Sequence, residues 1–383
     1  MFTYYIFLIL AIGAYAIYTK NYGNKSLLTI AALILILFAG LRDASVGTDT
    51  GSYTRGYANM KIEEDEKGLN IVYDKDDPLA PPEMDGDSFW EKIQDEPGFY
   101  YLKLLGLAIS DNYAALLTLV ALVVTCCFLA SLRLTSQNEL VSLFVFITLG
   151  LYTFSFNAER QGIAVAIYSL SLPFLIKKKL LPYCGIVLLA ALFHKTIIVA
   201  LPLYFLFTMK FSWKSAIMII VGVAIVTALM PRLVDFGTSL EDRYQLYVFT
   251  DETAGRGLLL TAFYALLTVF FIWQRQYMDE RLLYRYDVFL HMMICAAIIF
   301  LVVSAMGLYV EVNRFAAYFQ IAAIFLWAEL FANPKRKLRW DVIAIFIIGH
   351  LIYFYIFTDR MAGLTPFEWN TTLFAADSPF VTQ

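Results

Sequence analysis

The sequence predicts an all-α, polytopic integral membrane protein, a helical bundle of about twelve membrane segments, and three observations carry that prediction. Of its 383 residues 60% are hydrophobic and only 16% are charged. Its mean hydropathy of +0.66 lies outside the range of chains that fold in water. Apolar runs that meet or nearly meet the ~20 residues needed to cross a bilayer core recur from residue 4 to residue 357. One continuous bundle accounts for that pattern better than two soluble domains.

In chain order the runs are 2-19, 25-41, 112-132, 139-156, 160-176, 180-209, 213-230, 257-274, 287-307, 314-332 and 341-358. The first, Phe2 to Tyr18, has no positive flank before it and no small-residue cleavage site after it. It reads as a retained helix, not a signal peptide. The run 180-209 is interrupted by His194-Lys195, with 14 residues on either side. Each arm would be about 21 Å long, short of a core about 30 Å thick. Charge placement decides how the arms are used. If 180-209 is a hairpin and the N-terminus starts outside, one side of the membrane collects 15 basic residues on short connectors. They are Lys20, Lys25, Arg133, Lys177, Lys178, Lys179, Lys210, Lys214, Arg275, Arg281, Arg285, Lys335, Arg336, Lys337 and Arg339. A single span would put the last three clusters outside, against the positive-inside rule, so the hairpin is expected, with His194 at its outer tip. Short, interrupted helices of this kind mark binding sites in membrane proteins.

The expected organisation is therefore two helices (1-41), an acidic outer loop (42-111) with an interfacial helix near 97-110, the main bundle (112-358) and an outer C-terminal tail (359-383). The loop holds 16 Asp/Glu against seven Lys/Arg. Its centre, Glu63 to Gln94, contains Glu63-Glu64-Asp65-Glu66 and Pro81-Pro82 and reads as a solvated, flexible segment with one short helix at most. The four cysteines, Cys126, Cys127, Cys184 and Cys295, all fall in apolar runs without CxxC or Cys/His spacing, so neither a disulfide framework nor a metal site is expected. No cofactor and no nucleic acid is implied.

Charge in or beside a membrane helix is costly and asks for a reason. On the outward side the polar set is Arg42, Asp49, Glu159, Arg160, Gln161, His194, Lys195, Glu311, Asn313 and Arg314. Guanidinium forks at helix ends suit phosphate oxygens and charge on a departing diphosphate, and the helix start at Arg160-Gln161 adds backbone N–H donors. An imidazole at an outer tip, His194, suits general-base work or phosphate binding. Each has a plainer reading too. Arg42 at a helix C-terminus suits the helix dipole or snorkelling, Arg160 has Glu159 beside it, Arg314 has Glu311 nearby, and Asp49 suits an N-cap of a helix carrying Tyr53 and Tyr57. His291 and His350 read as hydrogen-bonded core residues.

Three strings carry a resemblance. Gly40-Leu41-Arg42 with Val46-Gly47-Thr48-Asp49-Thr50 and Tyr53, Arg160-Gln161-Gly162-Ile163-Ala164, and Ala190-Ala191-Leu192-Phe193-His194-Lys195-Thr196 resemble elements of the EpsG-like family of bacterial exopolysaccharide proteins, close in character to Wzy-type polysaccharide polymerases. The resemblance implies a metal-independent, GT-C-like glycosyltransferase in the bacterial cytoplasmic (inner) membrane with an outward-facing site. It would use undecaprenyl-pyrophosphate-linked oligosaccharides in O-antigen, capsule or exopolysaccharide synthesis, surrounded by membrane lipid and alongside a chain-length regulator and a flippase. By the same resemblance Arg42, Arg160 and Arg314 would hold the pyrophosphate, Gln161, Lys195 and Asn313 would bind substrate, Asp49 and Tyr53 would position a sugar, and His194 would be the base. The insert from about Glu63 to Asp95 departs from the family pattern and suggests repeat-unit specificity.

The rivals are a lipid-linked glycan flippase or transporter, a membrane O-acyltransferase and a structural partner of a synthesis complex. A flippase calls for polar residues through the bundle centre, whereas the cytoplasmic halves of the runs read as almost purely apolar. An acyltransferase calls for a histidine near the cytoplasmic side, whereas His194 is expected outside.

Overall fold

The computed structural model describes residues 1-21, 24-69, 96-238, 251-306, 313-335 and 337-374. Among these residues the protein is all-α, with no strand and one isolated antiparallel bridge, Arg42 to Trp369. Among the described residues five helices are long and apolar enough to cross a membrane, Phe2–Lys20, Ala114–Thr135, Gly257–Tyr277, Glu280–Ala305 and Trp340–Met361, and six shorter apolar helices accompany them. The protein is a multi-pass membrane protein.

Local sequence sets the helix boundaries. The Asn24 side chain accepts from the backbone N–H groups of Ser26 and Leu27 to start Lys25–Gly40, and Asn138 accepts from Val141 to start Glu139–Thr148. Side-chain acceptors of this kind satisfy donors that a helix start leaves open. Helices Phe2–Lys20 and Lys25–Gly40 pack together; the latter lies on Ala114–Thr135, which packs in turn on Glu159–Ser169. Glu280–Met306 sits at the middle of the other half, against Trp213–Thr238, Asp251–Gln274 and Ala322–Ala332. Peripheral helices turn Ile9, Leu266 and Ile345 outward. In water such a surface would drive aggregation, whereas lipid tails accept it without penalty.

Three runs that look continuous in sequence are divided. The 139-156 run stops as a helix at Thr148, turns, and resumes only as Phe154–Asn157. Gly150 causes the break: its φ is +75°, and any Cβ there would collide with the Phe357 ring. The 160-176 run splits into Glu159–Ser169 and Leu172–Ile176. Pro173 has no N–H to continue the ladder, and the Ser169 carbonyl instead accepts the Ser131 hydroxyl at 2.8 Å. In the 314-332 run, Ala317–Gln320 and Ala322–Ala332 are separate helices.

The 180-209 run forms two arms, Leu180–Ala191 and the 3-10 and α-helical pair Lys195–Val199 and Ala200–Phe207, with His194 at the turn between them. Pro97–Ile109 is a helix too short to span. The Glu63-Glu66 cluster falls in helix Thr50–Leu69, and the rest of the acidic insert, 70-95, lies outside the described residues, as does Glu311.

The C-terminal segment adds an unanticipated layer. After Met361 the chain folds back across the 41-48 loop. Asp43 N–H donates to Glu368 O at 2.9 Å, Asn370 N–H to Leu41 O at 2.9 Å, and Gly47 N–H to Gly363 O at 3.3 Å. Side chains reinforce it: Tyr4 donates to Leu364 O and Asn157 to Ala362 O, each at 2.7 Å. The tail becomes a strap because it accepts from the backbone N–H groups of Asp43 and Gly47 and donates to the Leu41 carbonyl.

Candidate functional site

Four separate stretches of chain converge at the end of the bundle where Gly40, Asn157, His194 and Arg314 lie. The Glu159–Ser169 helix begins there, so Glu159, Arg160 and Gln161 occupy its first turn. They point three ways.

Glu159 faces inward. Its carboxylate meets the Arg42 guanidinium at 3.3 Å, and both side chains are at most 1% exposed. Arg42 also donates to Ala39 O at 2.5 Å and lies over the Phe156 ring at 4.3 Å. Burial lowers the Arg42 pKa from its ordinary value, and the Glu159 charge opposes that. One oxygen of Glu159 and the Nε of Arg42 make no hydrogen bond. The expected direct contact of Arg42 with a diphosphate is therefore revised: with its exposure at 1%, a bulky anion does not reach it in this conformation. The neighbour that looked like a local partner for Arg160 belongs to Arg42.

Arg160 faces the hairpin tip. Its Nη1 donates to Glu96 Oε2 at 2.8 Å, and the other oxygen of Glu96 is 2.5 Å from His194 Nδ1 and 3.4 Å from the backbone nitrogen of Lys195. The Glu96 side chain is 7% exposed and Arg160 is 42% exposed, so the cation spans from the protein to solvent. Tyr53 lies beside Arg160; burial raises its phenol pKa, and the Arg160 charge counters this. Its ring meets Phe99 edge-on at 5.7 Å.

Gln161 faces the third stretch, donating to Arg314 O at 2.8 Å. The Arg314 side chain pairs with Asp49 at 2.8 Å, and both are partly exposed. Asp49 thus directs its carboxylate to Arg314, and to the Thr48 hydroxyl at 2.9 Å, rather than capping its own helix. Asn313 Oδ1 is buried without a hydrogen-bond partner. Thr196, one residue past Lys195, shares a hydrogen bond of 2.8 Å with Tyr318.

Arg160, His194, Lys195 and Tyr53 therefore form one group around Glu96, Asp49, Gln161, Asn313 and Arg314 form a second, and the adjacent residues 160 and 161 join them. Arg42 supports this floor from behind. The arrangement offers charge-assisted donors to an anion and a histidine ring held by one nitrogen. Among the described residues no three His, Cys, Asp or Glu side chains form a metal-binding group.

Sequence reasoning missed Glu96 and the strap. Glu96 ends an acidic stretch that reads as solvated, and its one signal is its place directly before Pro97-Gly98 at a helix start. The end of the bundle opposite the site is less apolar than expected: Asp287 and Glu329 are buried there, paired with Arg275 and Arg285. His291 and His350 are core residues, meeting Ser215 at 3.1 Å and Thr148 at 2.8 Å.

Fold and site together define an all-α polytopic membrane protein with a cation-rich, acid-balanced site at one end of its bundle. Residues 25–369 match the model of the EpsG family, so the chain belongs to that family of exopolysaccharide/O-antigen polymerase-like proteins. No curated protein and no solved structure gives a significant match.

Proposed function

We propose that this protein is a membrane polysaccharide polymerase that joins undecaprenyl-pyrophosphate-linked repeat units at the outer face of the bacterial cytoplasmic membrane. Family membership supports a polymerase-like role in polysaccharide synthesis. One observation carries the finer reading: Arg160, His194 and the Lys195 backbone N–H, drawn from segments far apart in the chain, converge on a single carboxylate, with Arg314 nearby on Gln161. Donors that hold a carboxylate in this way also suit phosphate oxygens.

In this reading Arg160 and Arg314 hold the diphosphate, while Asp49 and Tyr53 position a sugar. The acceptor hydroxyl attacks the anomeric carbon of the growing glycan and gives its proton to His194. The bond from that carbon to the diphosphate oxygen breaks, and undecaprenyl pyrophosphate leaves with the electron pair, its charge met by the guanidinium groups. A flippase would need a polar route through the membrane, and Asp287 and Glu329 do not supply one because Arg275 and Arg285 close them off. An acyltransferase histidine in that half would have to be His291 or His350, and both are buried.

The test is genetic. In a deletion strain complemented with Arg160→Ala or His194→Ala, surface glycan should carry a single repeat unit while the variant still reaches the membrane. Full-length glycan in both variants removes these residues from the mechanism. Loss of all surface glycan on deletion points to a flippase, and unchanged chain length to an acyltransferase. For orientation, a cysteine at Thr196 should react with an impermeant reagent and one at Lys178 should not.

A further inference from the structure

Glu96 occupies a backbone conformation that its neighbours make expensive. Its φ is 82° and its ψ 65°, in the left-handed region that side chains with a Cβ avoid, and the residue before a proline is pushed toward extended geometry. Such strain persists only where the surroundings over-determine it. Here they do. Gly98 N–H donates to Leu192 O at 2.8 Å, and a Cβ on Gly98 would sit 2.9 Å from that oxygen and 3.0 Å from the Phe193 ring. The start of Pro97–Ile109 is thereby docked against the hairpin tip, two residues from His194. The left-handed turn aims the Glu96 carboxylate back between His194 and Arg160.

We infer that Glu96 is the positioning residue for His194: it accepts a hydrogen bond from Nδ1–H, fixes the ring as the Nδ1–H tautomer, and leaves Nε2 as the atom that takes the proton of the acceptor hydroxyl. The inference rests on the polymerase reading for its chemistry but on the 2.5 Å Nδ1 contact for its geometry. Glu96 stays a carboxylate throughout; the proton passes from the sugar oxygen to Nε2 only. As the imidazolium forms, the carboxylate stabilises it, the part a buried acid plays behind a histidine base. Its second oxygen holds Arg160 at 2.8 Å, so one side chain sets the spacing between the base and the diphosphate-binding cation.

Nitrogen NMR of the ¹⁵N-histidine-labelled full-length protein in nanodiscs tests the geometry directly, since the chain has three histidines and the His194→Ala spectrum assigns one. The wild type should show the Nδ1–H tautomer at His194. Glu96→Gln, which keeps the size and lets an amide N–H face the ring, should shift His194 to the Nε2–H tautomer while His291 and His350 do not change. Glycan chain length in cells should fall in Glu96→Gln, with polymerisation down at least ~10-fold, and Glu96→Asp should recover part of it. Glu96→Gln combined with His194→Ala should be no worse than His194→Ala alone. An Nε2–H tautomer in the wild type, or an unchanged tautomer in Glu96→Gln, overturns the inference whatever the enzyme's activity. A tautomer shift with full-length glycan in both Glu96→Gln and His194→Ala instead overturns the polymerase role of His194 and leaves the geometry standing.

Discussion

The two ends of the bundle solve the problem of membrane charge differently. At the end carrying Lys177 to Lys179, Arg275 clasps Asp287 with two nitrogens, at 2.6 and 3.0 Å, and Arg285 bridges Glu329, at 2.9 Å, to the Thr135 carbonyl. Those arginines spend their donors on protein. At the other end Arg160 and Arg314 each make one ion-pair contact, at 2.8 Å, and both remain partly exposed. Arg275 and Arg285 each spend two nitrogens on protein acceptors, whereas the more exposed Arg160 and Arg314 leave more of the fork open to a ligand. Arg42, buried and paired with Glu159, is the exception at the second end and behaves like the ties of the first.

This contrast can be broken by substitution. The largest effect is expected at the enclosed pair: Arg42→Ala leaves the Glu159 carboxyl buried without its cation, and should cost about 3–5 kcal/mol, read as a fall in the unfolding temperature of the detergent-solubilised protein. The double variant Arg42→Met with Glu159→Leu should regain much of that loss. Next, Arg285→Ala strands Glu329 and should cost about 2–3 kcal/mol while surface glycan keeps its length. Arg160→Lys, which keeps charge but loses the fork, should change stability by about 1 kcal/mol or less and still shorten the glycan. The smallest stability change, about 0–1 kcal/mol, is expected for Arg314→Ala, whose partner Asp49 stays hydrated. If Arg314→Ala unfolds the protein as Arg42→Ala does, the distinction between ties and open donors fails.

How much of this was legible beforehand depends on what each feature needs. The bundle and the turn at His194 follow from apolar run lengths and the placement of basic residues, and both are local properties of the chain. The breaks at Gly150 and Leu170-Ser171 were hidden because composition stays apolar across them; Gly150 is explained only once Phe357 is seen against it. Ion pairing was readable as a need but not as a list of partners. Glu159 stands beside Arg160 yet turns to Arg42, 117 positions away, because the first turn of a helix sends successive side chains in different directions. Glu96 was least visible, since an acidic residue after an acidic run reads as solvated and its unusual backbone has no compositional sign.

The strap formed by residues 362-374 has a consequence for biogenesis. The loop it covers is translated early and the strap itself after every membrane helix described here. The Arg42–Trp369 bridge and the hydrogen bonds of Asp43, Gly47 and Asn370 therefore form only after the described helices have been made. A chain cut before Ala362 would keep the described helices and lose the hydrogen bonds by which the strap ties down the 41-48 loop.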